Sequence, residues 1–154
     1  MSTTAPQPQN PVPSSITIRQ ARDEDALSIR LLVTKSLLAA DLDTPTAEVD
    51  SDLIGPGYYR EPGRGMWVAV EGERIVGCAA IDRGEEGQAT LRRLAGVSLA
   101  DLTAAAVAFS RGRGYRGVET VLPAAMTNAR EAVATEGFHD DNNANDLIFR
   151  LPLV

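Results

Sequence analysis

Three places in the sequence gather side chains able to do chemistry. Tyr58-Tyr59-Arg60-Glu61 lies between Gly57 and Gly63 and offers two phenolic hydroxyls, a guanidinium and a carboxylate on one short stretch. It reads either as the lip of a substrate pocket or as a glycine-bounded surface loop, and loops over clefts carry function more often than core positions do. Asp41 and Asp43 follow an apolar periodic segment. Two neighbouring carboxylates suit a cationic amine, and they equally suit a solvated turn. His139 is the single histidine and directly follows Gly137-Phe138. Its imidazole titrates near neutral pH, which suits proton transfer, but no partner is visible in sequence, and a solvent-facing strand residue is the plainer reading. Tyr58, Tyr59, Asp41 and His139 are thus the candidates for catalysis, and Asp41, Asp43, Tyr58, Tyr59 and Arg60 those for binding a substrate.

Other notable residues read as structural. Trp67, between Met66 and Val68, suits a core, and Cys78, among small apolar residues, a buried inert thiol. Arg92 and Arg93 are consecutive, so strand alternation sends them to opposite faces and at most one meets a cleft. One His and one Cys make a transition-metal site improbable. The Asp/Asn-rich stretch 140–146 lacks the glycine and closing Glu of a calcium loop.

Composition narrows the partners. The chain has 154 residues, 23% of them charged and 44% hydrophobic, which fits one soluble domain. A net charge of −6 favours small cationic or neutral partners over nucleic acid or anionic membranes, and leaves a homodimer or protein partner open. The single cysteine fits a reducing cytoplasm. Residues 1–15 hold four prolines and no Lys or Arg, which predicts a disordered tail rather than a secretory signal. No apolar run approaches the ~18 residues of a membrane span.

The elements that must position these residues follow from periodicity. Ile16–Gln20 alternates as a strand. Asp23 caps a helix that runs to about Ala40, with Ile29, Leu32, Val33, Leu37 and Ala40 on one face. A second short helix is predicted over Thr46–Leu53, ended by Gly55-Pro56-Gly57. Strands are predicted over Met66–Val70 and Arg74–Asp82, joined by the turn Glu71-Gly72-Glu73, and over Gln88–Leu94. A helix over Leu99–Ser110, a strand over Val118–Leu122, a helix over Met126–Glu136 and a last strand over Leu147–Leu153 complete the chain, with a further short strand near Phe138. The result is one α/β domain over residues 16–154, a mixed sheet flanked by helices in the order β-α-α-β-β-β-α-β-α-β.

This order and several local signatures resemble the GNAT superfamily of acetyl-CoA-dependent N-acetyltransferases over roughly residues 16–153. The carriers are Ile18-Arg19-Gln20-Ala21 with Asp25 and Ile29; Gly65-Met66-Trp67-Val68-Ala69-Val70 with Ile75-Val76-Gly77-Cys78-Ala79; Ala89-Thr90-Leu91-Arg92-Arg93-Leu94; Gly114-Tyr115-Arg116-Gly117-Val118; and Asn128 with Gly137-Phe138. The resemblance implies a splayed central sheet, an acyl-CoA donor, a small amine acceptor and no metal. It also places Tyr58 to Glu61, Asp41 and Asp43 near the acceptor end of the cleft.

The departures bear on activity. Family members carry a Q/R-x-x-G-x-G/A loop after the fourth strand, whose backbone N–H groups and helix N-terminus hold the CoA pyrophosphate. Here Leu94-Ala95-Gly96-Val97-Ser98, the residues that would contact CoA, lead almost directly into Leu99. Roughly six to eight residues are absent, including both glycines that let backbone approach phosphate. Asp101 instead puts a carboxylate in the first helical turn. Reading Arg111–Gly117 as a displaced loop would place Pro123 inside a helix, at about 3 kcal/mol, so a plain helix-to-strand turn is the better reading. Thr90 stands where many relatives have a Glu base, and Val133 where a Tyr protonates the leaving thiolate. Three functions remain: acyl transfer to an amine without a mapped base or acid, another chemistry on a small metabolite in the same cleft, or a non-catalytic ligand-sensing or protein-docking module.

Overall fold

The computed structural model describes residues 15–42, 51–53, 57–140 and 148–154. Strand β1 spans Ile16–Gln20, helix α1 Ala26–Ala39, β2 Gly65–Glu71, β3 Arg74–Arg83 and β4 Gln88–Gly96. Helix α2 spans Leu99–Gly112, β5 Gly117–Val121, α3 Thr127–Thr135, β6 His139–Asp140 and β7 Ile148–Pro152. Single 3-10 turns cover Asp23–Asp25, Ser51–Leu53 and Tyr58–Arg60. The seven strands form one sheet in the order β1-β2-β3-β4-β5-β7-β6, antiparallel throughout except for the β4–β5 pair. The expected short strand near Phe138 is β6. Most of the predicted second helix and all but one residue of the predicted tail lie outside the described residues.

Alternation along the strands builds two cores, one per face. Trp67, Ala69, Ala79, Ile81, Leu91 and Leu94 face α2 and α3, which contribute Leu102, Ala106 and Val133. Val68, Cys78 and Ala95 face α1, which contributes Ile29 and Val33. Trp67 is a core residue as expected, packed edge-on against Phe109. The start of α1 differs from expectation. Asp25, not Asp23, is the organising carboxylate: it accepts the Arg22 N–H at 2.7 Å and a forked pair of bonds from Arg19 at 2.7 and 3.1 Å. The Arg19 bond and charge outweigh its burial and hold its carboxyl below the usual range.

Two departures from a regular sheet matter for function. The β4–β5 ladder holds only three pairs, Gln88↔Gly117, Ala89↔Val118 and Thr90↔Glu119, after which the strands part. Next to that point β4 carries a bulge: Cys78 faces Ala95 and Ala80 faces Arg92, so Arg93 and Leu94 together oppose Ala79. Arg93 takes up the extra length in the left-handed region, at φ 58°.

Candidate functional site

The bulge overturns the expectation for the two arginines. Arg92 lies on the α1 face by register with Ala80, and the left-handed turn at Arg93 sends its guanidinium to the same side. Both reach Asp52, which the 3-10 turn Ser51–Leu53 delivers to that face. Arg93 grips it with Nε at 3.0 Å and a second nitrogen at 2.6 Å, while Arg92 stands back at 3.8 Å. The Tyr59 hydroxyl donates to the same carboxylate. One strand away, Asp82 accepts from the Tyr58 hydroxyl at 2.6 Å, Arg64 Nε at 2.9 Å and Arg92 at 3.2 Å. Arg64 also pairs with Glu61 and lies 4.2 Å from the centroid of the Tyr58 ring. The two tyrosine rings meet edge to face at 4.8 Å.

The electrostatics of this cluster follow from its bonds. Burial works to raise the Asp52 carboxyl, but the Arg93 and Tyr59 bonds outweigh it and hold the group below the usual carboxylate range. Asp82 is lowered in the same way, by Tyr58, Arg64 and the Arg83 N–H acting against burial. The Tyr58 hydroxyl is raised first by its bond to Asp82, and that of Tyr59 first by burial and then by Asp52. The carboxylates are therefore ionised and the phenols protonated near neutral pH, which makes all four poor proton acceptors there. The cluster positions and recognises; it does not supply a base.

The cluster stands between two hollows. On one side Asp52, Tyr58, Tyr59 and Arg64 line a cavity of about 420 Å³ floored by Ile29, Leu53 and Met66. On the other side Arg92 and Arg93 line a groove of about 200 Å³ between β4 and β5, walled by Leu91, Leu94, Leu122 and Met126. A second groove of about 240 Å³ shares Leu94, Ala95 and Met126 with it and extends to Gly96 and Leu99.

The expected site residues divide accordingly. Tyr58 and Tyr59 are brought together at the cluster. Arg60 lines the larger cavity but is largely exposed and paired with Asp23 at 3.0 Å. Asp41 is an exposed turn residue at φ 58°, its N–H bonded to Leu38 O at 3.0 Å. Asp43 lies outside the described residues. His139 is exposed on β6, the sheet edge beyond β7, and joins no part of the cluster. Cys78 is fully buried, its thiol pushed up to about 12 chiefly by burial. Val133 is fully buried in the α3 core. Thr90 pairs across the ladder with Asp82, so a carboxylate does stand beside the place of the missing Glu, on the neighbouring strand. Asp52, Asp82 and Arg64 went unnoticed in sequence. Asp82 had one legible signal, a charge closing the apolar run Ile75–Ile81.

The stretch Leu94–Ser98 offers part of what an acyl-CoA arm would need. Leu94 and Ala95 wall the grooves, and beyond Thr90 the β5 side of β4 lies outside any ladder with β5, which suits an extended amide-bearing arm. The turn into α2 is short and partly closed. Only Val97 and Ser98 separate β4 from α2, and the Val97 N–H already bonds Val76 O at 2.9 Å. Gly77 and Gly96 pair so closely that a Cβ on either would lie 2.3 or 2.2 Å from a backbone oxygen. In the stretch Arg111–Gly117 the N–H groups of Gly114, Tyr115 and Arg116 bond Arg111 O, Ser110 O and Gly87 O, as in a plain helix-to-strand turn. Among the described residues no three His, Cys, Asp or Glu side chains could hold a metal ion, and no helix is long and apolar enough to cross a membrane.

Neither a protein-family model nor a curated protein matches the sequence. Solved structures do match the fold. A GNAT-family acetyltransferase from Staphylococcus aureus superposes with a TM-score of 0.78 at 13% identity, covering 91% of this chain and 100% of its own. An acetyltransferase from Streptococcus agalactiae gives 0.77 at 17% identity over 90% and 98% of the two chains. The PaiA N-acetyltransferase from Thermoplasma acidophilum, solved in complex with coenzyme A, gives 0.67 at 16% identity over 90% and 99%. The fold is that of the GNAT acetyltransferases.

Proposed function

We propose that this chain is a cytoplasmic N-acyltransferase-type protein that holds an acyl-CoA by its pantetheine arm alone and delivers the acyl group to a small amine. The observation that carries this reading is the parting of β4 from β5 after Thr90↔Glu119, which leaves a groove with apolar walls and an unladdered strand edge. The relative solved with coenzyme A has the same fold. A bound thioester supplies an acyl carbonyl whose C–S bond is exchanged for a C–N bond, the amine's surplus proton leaving with the thiol.

The residues of this chain act around that exchange. The edge of β4 provides backbone donors for the arm and the carbonyl. The Asp52–Arg93 pair fixes the bulge beside that edge, and Tyr58 and Tyr59 line the approach from the larger cavity. No described residue of the cluster takes a proton near neutral pH, so the amine must arrive uncharged. The rate should then rise with pH along the titration of the amine itself, with no inflection from the cluster near neutral pH.

The test is calorimetry and thermal unfolding with millimolar acetyl-CoA, followed by thiol release with an amine panel. Saturation at 100 times the dissociation constant adds about 2.7 kcal/mol of stability. Absence of both binding and thiol release sinks the reading. The closed turn between β4 and α2 favours a second one, a ligand-binding module that never takes CoA; it predicts no response to acetyl-CoA and retained binding of small ligands in the cavity.

A further inference from the structure

The interior of the cluster holds three guanidiniums, Arg64, Arg92 and Arg93, against two carboxylates, Asp52 and Asp82. Arg93 and Tyr59 satisfy Asp52, and Arg64 and Tyr58 satisfy Asp82, each at distances shorter than those of Arg92. The third carboxylate, Glu61, is half exposed and pairs with Arg64. With Glu61 the charges balance, and Arg92, bonded to Asp82 at 3.2 Å and 3.8 Å from Asp52, is the most loosely held of the three cations. It is also the least covered of the three, with 31% of its side chain exposed against 11% for Arg93 and 15% for Arg64. It lines the β4/β5 groove, whose other walls are largely apolar.

We infer that Arg92 is an anion-recognition residue, its guanidinium binding the carboxylate of a short acid whose apolar part lies in the β4/β5 groove. A planar guanidinium matches a carboxylate with two parallel bonds, and the partly desolvated setting strengthens them. A groove of about 200 Å³ with leucine walls fits a chain of a few carbons, and Arg92, loosely held and partly exposed at its edge, is free to turn toward a carboxylate. The carboxylate belongs either to the acyl group of the donor or to the acceptor. In either form the assignment rests on the acyl-transfer reading for its biological meaning, although the binding itself does not.

Isothermal calorimetry on the full chain compares succinyl-CoA with pentanoyl-CoA, and glutarate with glutaramide, for wild type, Arg92→Leu and Arg92→Lys. Arg92→Leu leaves both carboxylates with an arginine and a tyrosine, so it should fold, which its unfolding curve checks. The expected result is an acid preference of at least about tenfold in one arm, the worth of a charge-assisted bond. Arg92→Leu should erase it and Arg92→Lys retain part. Preference with succinyl-CoA assigns the donor, and preference with glutarate the acceptor. If neither CoA ester binds while glutarate shows an Arg92-dependent preference, the acyl-transfer reading falls and this inference stands. No acid preference in either arm, or one that survives Arg92→Leu, overturns the inference; binding of pentanoyl-CoA would then leave the acyl-transfer reading intact.

Discussion

Replacing Asp52 by alanine tests whether the cluster is held by its ion pair. The Asp52 side chain is 4% exposed, and it accepts a forked pair of bonds from Arg93, itself 11% exposed, and a third from Tyr59. Truncation leaves a buried cation and a buried hydroxyl without this acceptor. Breaking a buried pair by removing one partner costs about 3–5 kcal/mol, because the other charge stays desolvated. A domain of this size loses roughly 2–4 °C per kcal/mol, so thermal unfolding should fall by roughly 6–20 °C at neutral pH. The pH dependence carries the sign. The folded Asp52 carboxyl is lowered, so its contribution is fully present above the unfolded value near 3.9 and is lost as pH falls through the folded value. The difference between wild type and Asp52→Ala should therefore be flat above about pH 5 and shrink only in acid. A double variant, Asp52→Leu with Arg93→Leu, removes both charges and should be less damaged than the sum of the single changes. A loss below about 1 kcal/mol for Asp52→Ala, or strict additivity in the double variant, would refute the reasoning.

Two further outcomes follow from single residues. With its thiol pushed up to about 12 by burial, Cys78 should not react with a thiol reagent at pH 8 in the native state, and should react fully once the chain is unfolded. Labelling of the native protein at the unfolded rate would contradict this. Gly96, at φ 91° and with Val76 O 2.2 Å from where a Cβ would sit, should lose more than ~1 kcal/mol on change to alanine, read by urea unfolding. Gly112, with open space around it, provides the control.

The fold was legible because its signals are local. Alternation marks Ile16–Gln20 as a strand, the turn Glu71-Gly72-Glu73 sets off Met66–Val70 and Arg74–Asp82 as a hairpin, and the apolar spacing of α1 and α2 marks them as helices. The site was legible only where a loop announced itself, at Tyr58 and Tyr59. Asp52 was lost inside a predicted helix, since its role depends on meeting Arg93, forty-one residues later in sequence. Arg92 and Arg93 were assigned to opposite faces because alternation assumes a regular ladder, and a bulge reverses that for one residue. Asp41 and His139 attracted notice for their chemistry alone, and the topology leaves one in a turn and the other on a far edge.

The bulge also links the ion pair to the groove. Between the Cys78↔Ala95 and Ala80↔Arg92 pairs β4 has two residues where β3 has one, and such a mismatch bends the longer strand and sharpens its twist. The bend falls at Arg93 and Leu94, three residues beyond Thr90, the last β4 residue laddered to β5, so it lies in the part of β4 that has left β5. A left-handed arginine is strained by roughly 1–2 kcal/mol, and a regular register would relieve it. Asp52 opposes that relaxation, because its fork on Arg93 forms only while the side chain is turned to the α1 face. The strain is small beside the several kcal/mol at stake in a buried pair, so the pair wins and the bulge persists. A contact that reads as structural ballast is on this account what keeps the β4 edge exposed, and the groove between β4 and β5 depends on a carboxylate that lies outside both strands.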